Sequence, residues 1–447
     1  MKFNKSFFKK FFLVSGLGLL GLIVVIAIIY TYLNIIWGKE LRQELDKIKA
    51  SGSPMTVADI PLRDSPNKDN ACIEYQQIFS IITDGTYTAK SGGSDSQEFN
   101  ELGDLSWNSN MSEIEEQFRK NSDKIKELLA KDSFRQVFEL LRKASEKPYL
   151  NFKLNYDEGP ALLLPHLSRM RTIARFLRAK AEFELLSGER EKAWDTILIG
   201  IKTNSLMKNE PLIISQLVYF ACNFIYFDFM AYNLPRYGID SKQAIKIIDE
   251  LSPERTEFVK SMRQSIDMER ICLGGWVCDR FISGKMKAEE LGGLIDVSGR
   301  KSSPLYYFVC FLYKPFAKKD YIEYLKIMET YKAGYDIPYY KLPPDLPSSE
   351  TMLKNLPRYC ILTKMLCPAL DNIRRRTAEM ETRAQEIRLR LALEIYKNRN
   401  GAYPEKLEAL SPQILKELPI SEMTGKPFEY SKDKDVYRIS GGIAEKK

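Results

Sequence analysis

Neutral-pH catalysis needs a nucleophile, a base or a metal in a defined spacing. The sequence has one histidine, His166, in the apolar run Leu162-Leu163-Leu164-Pro165-His166-Leu167. One histidine cannot build a multi-histidine metal site, and no Ser or Cys motif points to it as a general base. Its expected role is that of a buried or half-buried ring with a backbone partner. The seven cysteines are Cys72, Cys222, Cys272, Cys278, Cys310, Cys360 and Cys367. They form no C-x-x-C pair and no zinc spacing. Two short-loop disulfides, Cys272 with Cys278 and Cys360 with Cys367, are open alternatives to buried thiols acting as small hydrophobes. With 59 acidic residues some carboxylates must pair, and no spacing selects one pair. Gly274-Gly275, Gly292-Gly293 and Gly299 form neither a P-loop nor a dinucleotide fingerprint. No catalytic, cofactor-binding or metal-binding residue is nominated, and no cofactor is expected.

The elements that would carry any chemistry begin with an apolar segment. Phe11 to Trp37 is uncharged and almost wholly apolar. At about 1.5 Å per residue it is long enough for a hydrocarbon core of about 30 Å. Lys2, Lys5, Lys9 and Lys10 precede it, which predicts a cytoplasmic N-terminus. Tyr30, Tyr32 and Trp37 stand near its far end, where aromatic rings favour the interface. The apolar run is too long for a signal-peptide core, and Asn34-Ile35-Ile36-Trp37-Gly38 is a poor cleavage sequence. Taking those four lysines from the formal net charge of +8 leaves +4 spread over the remainder. The basic balance is thus partly a targeting signal, and no nucleic-acid partner is expected.

The chain divides into a cytoplasmic basic segment (1–10), a transmembrane helix (11–37), a stalk and linker (38–69), a helical body (70–370) and a long helix with a tail (371–447). The fold class expected is mainly α. Ser51 to Pro66 reads as linker, and Asp84 to Asp104 as a mobile loop rich in Gly, Ser and Thr. Helical periodicity runs from Ser112 onward, with an extended break at 151–160. Leu212 to Met230 contains Ser215, Gln216, Asn223 and Asp228, so it is expected as a buried helix and not a second span. Pro304 to Phe316 is too short to span; core is preferred over a membrane-facing aromatic patch. Further helices are expected at 241–251, 253–271, 321–333 and 348–366. In AEFELLSGEREKAW, the spacing of Ala181, Gly188 and Ala193 is that of a TPR-like helical hairpin. Asp371 to Lys397 carries one apolar stripe through Ile373, Thr377, Met380, Ala384, Ile387 and Leu391. Its charged residues, Arg374, Arg375, Arg376, Glu379 and Glu386 among them, are expected on a solvated, salt-bridged face.

After Asn400-Gly401 come Ala402-Tyr403-Pro404, Leu418-Pro419, Thr424-Gly425-Lys426-Pro427-Phe428-Glu429-Tyr430 and Val436-Tyr437-Arg438-Ile439-Ser440-Gly441-Gly442. Alternation about Lys432-Asp433-Lys434-Asp435 predicts a two-stranded hairpin in a small α+β module. This tail resembles the type II secretion pseudopilin module, in which a long helix is followed by a Gly-x-Tyr-Pro loop and a small sheet. It departs from that pattern at Leu418-Pro419-Ile420-Ser421-Glu422, which lacks the usual Asp-Pro, and no prepilin-peptidase site precedes Phe11. The whole arrangement also resembles a set of uncharacterised bacterial membrane-anchored helical proteins. The matching segments are Gly52-Ser53-Pro54-Met55-Thr56-Val57-Ala58-Asp59 and Leu163-Leu164-Pro165-His166-Leu167. These resemblances imply an architecture and no chemistry.

The expected role is that of a single-pass, membrane-anchored extracytoplasmic protein, a non-catalytic protein-interaction or envelope scaffold. Alternatives are a component of a secretion or pilus-like machine and a carboxylate-dependent hydrolase. Expected partners are membrane lipid at residues 11–37 and other proteins; no small-molecule substrate is identified.

Overall fold

In the computed structural model the apolar N-terminal run and the charged stalk form one continuous helix, α1 (Lys5–Ala50). The structure describes residues 5–62, 67–82, 94–105, 110–251, 255–287, 289–290, 303–343, 347–367, 370–434 and 436–441. From Leu17 onward α1 is long and apolar enough to cross a membrane, and Leu17 to Ile29 project into open surroundings. The chain is mainly helical, with sixteen helices among the described residues and one small sheet.

The body opens with α2 (Cys72–Ile81), α3 (Ser94–Leu105), α4 (Met111–Lys120), α5 (Ser122–Ala130) and α6 (Asp132–Ser145). The loop expected across 84–104 is a helix from Ser94, because Phe99 and Leu102 have a core to enter: Phe99 stacks on Phe134 at 3.8 Å. The rest of that expected loop, 84–93, lies outside the described residues. The break at 151–160 ends in a short 3-10 turn, Tyr156–Ala161.

Helices α7 (Pro165–Leu186) and α8 (Arg190–Ser205) pack as a hairpin. Gly188 takes the left-handed turn at φ 78°, and Ala181 and Ala193 are fully buried. Small side chains there let the helices approach closely, and glycine takes positive φ without steric cost. Helix α9 (Ile213–Tyr237) is the second long apolar helix, and it lies mostly inside the body. Its polar residues find partners there, as when Asn204 Nδ2 donates to Asn223 Oδ1 at 2.9 Å. Then come α10 (Ser241–Glu250), α11 (Arg255–Glu269), a π-helical turn (Arg270–Gly275) and α12 (Trp276–Ser283).

Helix α13 (Pro304–Gly334) starts well before the expected 321. Its first turns correct the preference for core at 304–316: Leu305, Tyr307, Phe308, Val309, Phe311 and Leu312 are exposed. The expected helix over 348–366 is two, α14 (Ser349–Asn355) and α15 (Ile361–Leu366). Pro357 between them cannot donate to a helical ladder. Buried Asp320 of α13 instead accepts from the backbone N–H groups of Leu362 and Thr363, at 2.7 and 3.0 Å, and so caps α15.

Helix α16 (Leu370–Asn400) crosses α9 and α10. Its charged face is not uniformly solvated, contrary to expectation, because other elements cover it. Arg374, Glu379 and Glu386 are buried. Arg374 donates to the carbonyls of Gly334 and Ile337, and Arg383 bonds Asp228 of α9 at 2.5 Å. The tail ends in strands β1 (Glu429–Asp433) and β2 (Val436–Ser440), antiparallel, with Tyr430 opposite Ile439. One core cluster runs from Ala71 to Ile439, so the tail packs into the same interior as the body.

Candidate functional site

A cleft of about 680 Å³ opens between α8, α9, α11 and α16. Tyr219, Asn223 and Phe227 of α9 lie along it, with Phe258 and Ser261 from α11 and Met380, Glu381 and Gln385 from α16. Lys202 and Lys208 stand on the α8 side, Lys260 on α11, and Pro61 of the linker on the rim. These residues come from segments hundreds of positions apart, which is why no local motif announces them.

The charges differ in their partners. Lys202 faces Glu250 at 3.7 Å, and Lys147 lies 3.5 Å from Glu74. Lys208 and Lys260 have no ion pair among the described residues. The loop bearing Lys208 is nevertheless fixed, since its carbonyl accepts from Gln216 Nε2 at 3.0 Å and from Ser261 Oγ. A lysine on a fixed backbone, without an internal counter-ion and beside buried aromatic rings, can bind an anionic group at modest entropic cost.

The same loop holds the lone histidine. His166 Nε2 lies 3.0 and 3.1 Å from the two Glu210 carboxylate oxygens, and its ring packs 4.5 Å from that of Phe152. The expected backbone partner is therefore corrected to a carboxylate. The carboxylate comes from a turn 44 residues further on, which the sequence around His166 could not disclose. Ser215 Oγ also donates to Glu210, at 2.5 Å. Ser215 is fully buried and directs its proton to the carboxylate and not to the imidazole, so the trio pins the loop and forms no activated nucleophile. All seven cysteines are free and buried, which removes both disulfide alternatives. Burial pushes the Cys222 and Cys360 thiols up to about 12, far from the reactive thiolate range.

Glu182 and Glu394 are among the carboxyls perturbed away from the cleft. Burial pushes Glu182 up to about 7 against the pull of Arg178. Burial likewise pushes Glu394 up to about 7, opposed by the Tyr403 hydroxyl, which donates to it at 2.7 Å. Tyr403 belongs to the Gly-Ala-Tyr-Pro loop, and its ring meets Tyr437 of β2 edge-on at 4.8 Å. That loop is thus clamped between α16 and the hairpin.

A third cluster ties the stalk to the body. Asp267 Oδ1 lies 2.7 Å from Lys332 Nζ and 3.2 Å from Arg270 Nη2, all three side chains being buried. Arg270 also donates to the Pro54 carbonyl at 2.5 Å, and Lys332 to Ser53 Oγ at 2.9 Å. Asp59 then folds the Gly52–Asp59 segment by accepting from the Met55 and Thr56 N–H groups. No group of three or more His, Cys, Asp or Glu placed to hold a metal occurs among the described residues. Comparison with known proteins found no matching family model, no matching curated protein and no matching solved structure.

Proposed function

We propose that the chain is a single-pass membrane protein whose helical body lies on the extracytoplasmic side and binds a partner protein, without catalysis, in the cleft between α8, α9, α11 and α16. The observation that carries this reading is the pair of lysines, Lys208 and Lys260, without an ion partner among the described residues, beside buried aromatic rings. That combination suits an extended peptide segment bearing acidic side chains. The α7–α8 pair, with its small contact residues and glycine turn, supports a TPR-like hairpin, and such hairpins present peptide grooves. The lysines before the apolar run, Lys2, Lys5, Lys9 and Lys10, support the orientation.

The test is affinity capture of the full chain from detergent-solubilised membranes, beside the double variant Lys208→Glu/Lys260→Glu. A stoichiometric protein held by the parent and lost from a folded variant is expected. A partner retained equally by both, or none with either, refutes the reading.

A second reading, a component of a secretion or pilus-like machine, is favoured by the order of elements in the tail. A long helix, the loop clamped through Tyr403 and a two-stranded hairpin follow one another as in the pseudopilin module. Unchanged secretion on deletion of the gene refutes it.

A further inference from the structure

The exposed apolar face at the start of α13 lies beside α1, and the two helices run parallel. Tyr30 stacks on Phe311 with ring centroids 4.9 Å apart, and its hydroxyl donates to the Phe311 carbonyl at 3.0 Å. Further along, Trp37 meets Phe316 at 5.4 Å, Lys318 Nζ donates to the Asn34 carbonyl at 3.0 Å, and Lys319 reaches Glu40 at 2.5 Å. Leu41 and Ile48 then pack with Ile322 and Leu325. Both helices thus advance in the same direction along one seam.

Both helices are uncharged toward the same end of the seam, and by the Tyr30–Phe311 pairing Lys314 of α13 lies level with Leu33 of α1, about 9 Å short of Lys39. Helix α1 carries no charge from Phe11 until Lys39 and Glu40, and α13 carries none from Pro304 until Lys314. Below Lys314, Leu305 is 70% exposed, and Phe308, Val309 and Phe311 are 56%, 54% and 55% exposed. In water so contiguous an apolar face is unfavourable. With Phe311 level with Tyr30, Leu305 lies about 9 Å deeper, beside the exposed part of α1.

The first turn of the helix leaves few backbone donors that need water. An unsatisfied backbone donor in hydrocarbon costs several kcal/mol, by rough estimate. Pro304 has no N–H, Tyr306 N donates to the capping Ser303 Oγ at 3.2 Å, and Tyr307 N donates to the Ser303 carbonyl at 3.1 Å. Leu305 alone of the first four positions lacks a described acceptor.

We propose that the first turns of α13 are a second membrane contact, in which the face of Leu305, Phe308, Val309, Phe311 and Leu312 enters the leaflet on the body's side, alongside α1. The occupant is lipid acyl chain. This rests on α1 being the anchor and adds to it a fixed rotation of the body about the anchor. A helix inserted for about ten residues spans only about 15 Å, half of a hydrocarbon core, so it is a wedge and not a second span.

The test places p-benzoylphenylalanine at Phe308, and separately at Ile23, in the full chain reconstituted in phosphatidylcholine–phosphatidylglycerol vesicles. After irradiation, mass spectrometry is expected to find the mass of one phospholipid added at both positions. Lipid added at 23 with none at 308 overturns the wedge and leaves the anchor standing. A chain-to-chain cross-link from 308 also overturns it, since a second copy then covers the face. No lipid at either position removes the anchor and the wedge together.

Discussion

Asp267→Asn isolates the cluster that joins stalk and body. The change keeps the side-chain size and removes the one negative charge that lies 2.7 Å from Lys332 and 3.2 Å from Arg270. Both cations are almost fully buried, at 6% and 2% side-chain exposure, so neither can turn to water. Glu329, 3.2 Å from the Arg270 guanidinium and 28% exposed, is the acid that remains close. Leaving a buried charge without its partner costs roughly 3–5 kcal/mol. Replacing Lys332 by Met in the same chain removes one uncompensated cation, so the double variant is expected to recover a large part of that loss. The coupling energy should be roughly 2–3 kcal/mol, at the upper end for contacting groups. The assay is urea unfolding of the full chain in detergent micelles, followed by fluorescence of buried Trp194. Undocking of Ser53 and Pro54 should also speed tryptic cleavage at exposed Lys49. A single variant within about 0.5 kcal/mol of the parent, the range of an ordinary surface change, would refute the argument.

Three further outcomes are expected. Glu394 has its proton affinity raised from 4.5 to about 7 in the fold, so its contribution to stability is greatest below pH 4.5 and falls as pH rises through 7. Glu394→Gln should flatten that slope and, at pH 8, gain up to about 3 kcal/mol less any loss at the Tyr403 hydroxyl; an unchanged pH profile of the unfolding midpoint counts against it. Gly274→Ala places a Cβ 2.0 Å from the Tyr324 ring and should cost about 1–3 kcal/mol by overpacking, read as a lowered midpoint. Alkaline phosphatase fused after Lys447 should be active in cells, and an inactive fusion beside an active cytoplasmic reporter reverses the proposed orientation.

Elements whose signal lies within one turn or two were legible in the sequence. The apolar run of α1, the buried α9 with its few polar residues, the stripe of α16 and the alternation of β1 and β2 are local periodicities. What escaped depends on contacts across the chain. The first turns of α13 carry an ordinary core composition, and only the folded chain shows that Leu305, Phe308, Val309 and Phe311 are exposed. Arg374 sits in an arginine run that reads as surface, yet two carbonyls near the end of α13 wait for its guanidinium. The carboxylate partner of His166 belongs to a turn whose own sequence, Asn209-Glu210-Pro211, reads as solvent-facing. Lys208 and Lys260 look like any other lysines until α8 and α11 bring them to one cleft. Charged residues in particular are poorly read, because the same side chain is cheap in water and costly when buried, and the sequence shows only the type.

The ties between stalk and body bear on how the cleft can be reached. Beyond Trp37 the stalk continues to Ala50, about 20 Å further along α1 at 1.5 Å per residue, and on the proposed anchoring this length separates its end from the membrane. There the chain turns at Gly52, with φ 77°, and runs back along the body, held at Ser53 and Pro54, to Pro61 on the rim of the cleft. From Ser53 to Pro61 the segment is therefore a docked strap that forms part of the cleft wall, and not a free tether. A free linker would let the body present its cleft at any angle. On the proposed anchoring by α1, a docked strap would give the cleft a fixed height and heading over the bilayer, and the proposed partner, if anchored in the same membrane, would meet it at a raised effective concentration and in one orientation.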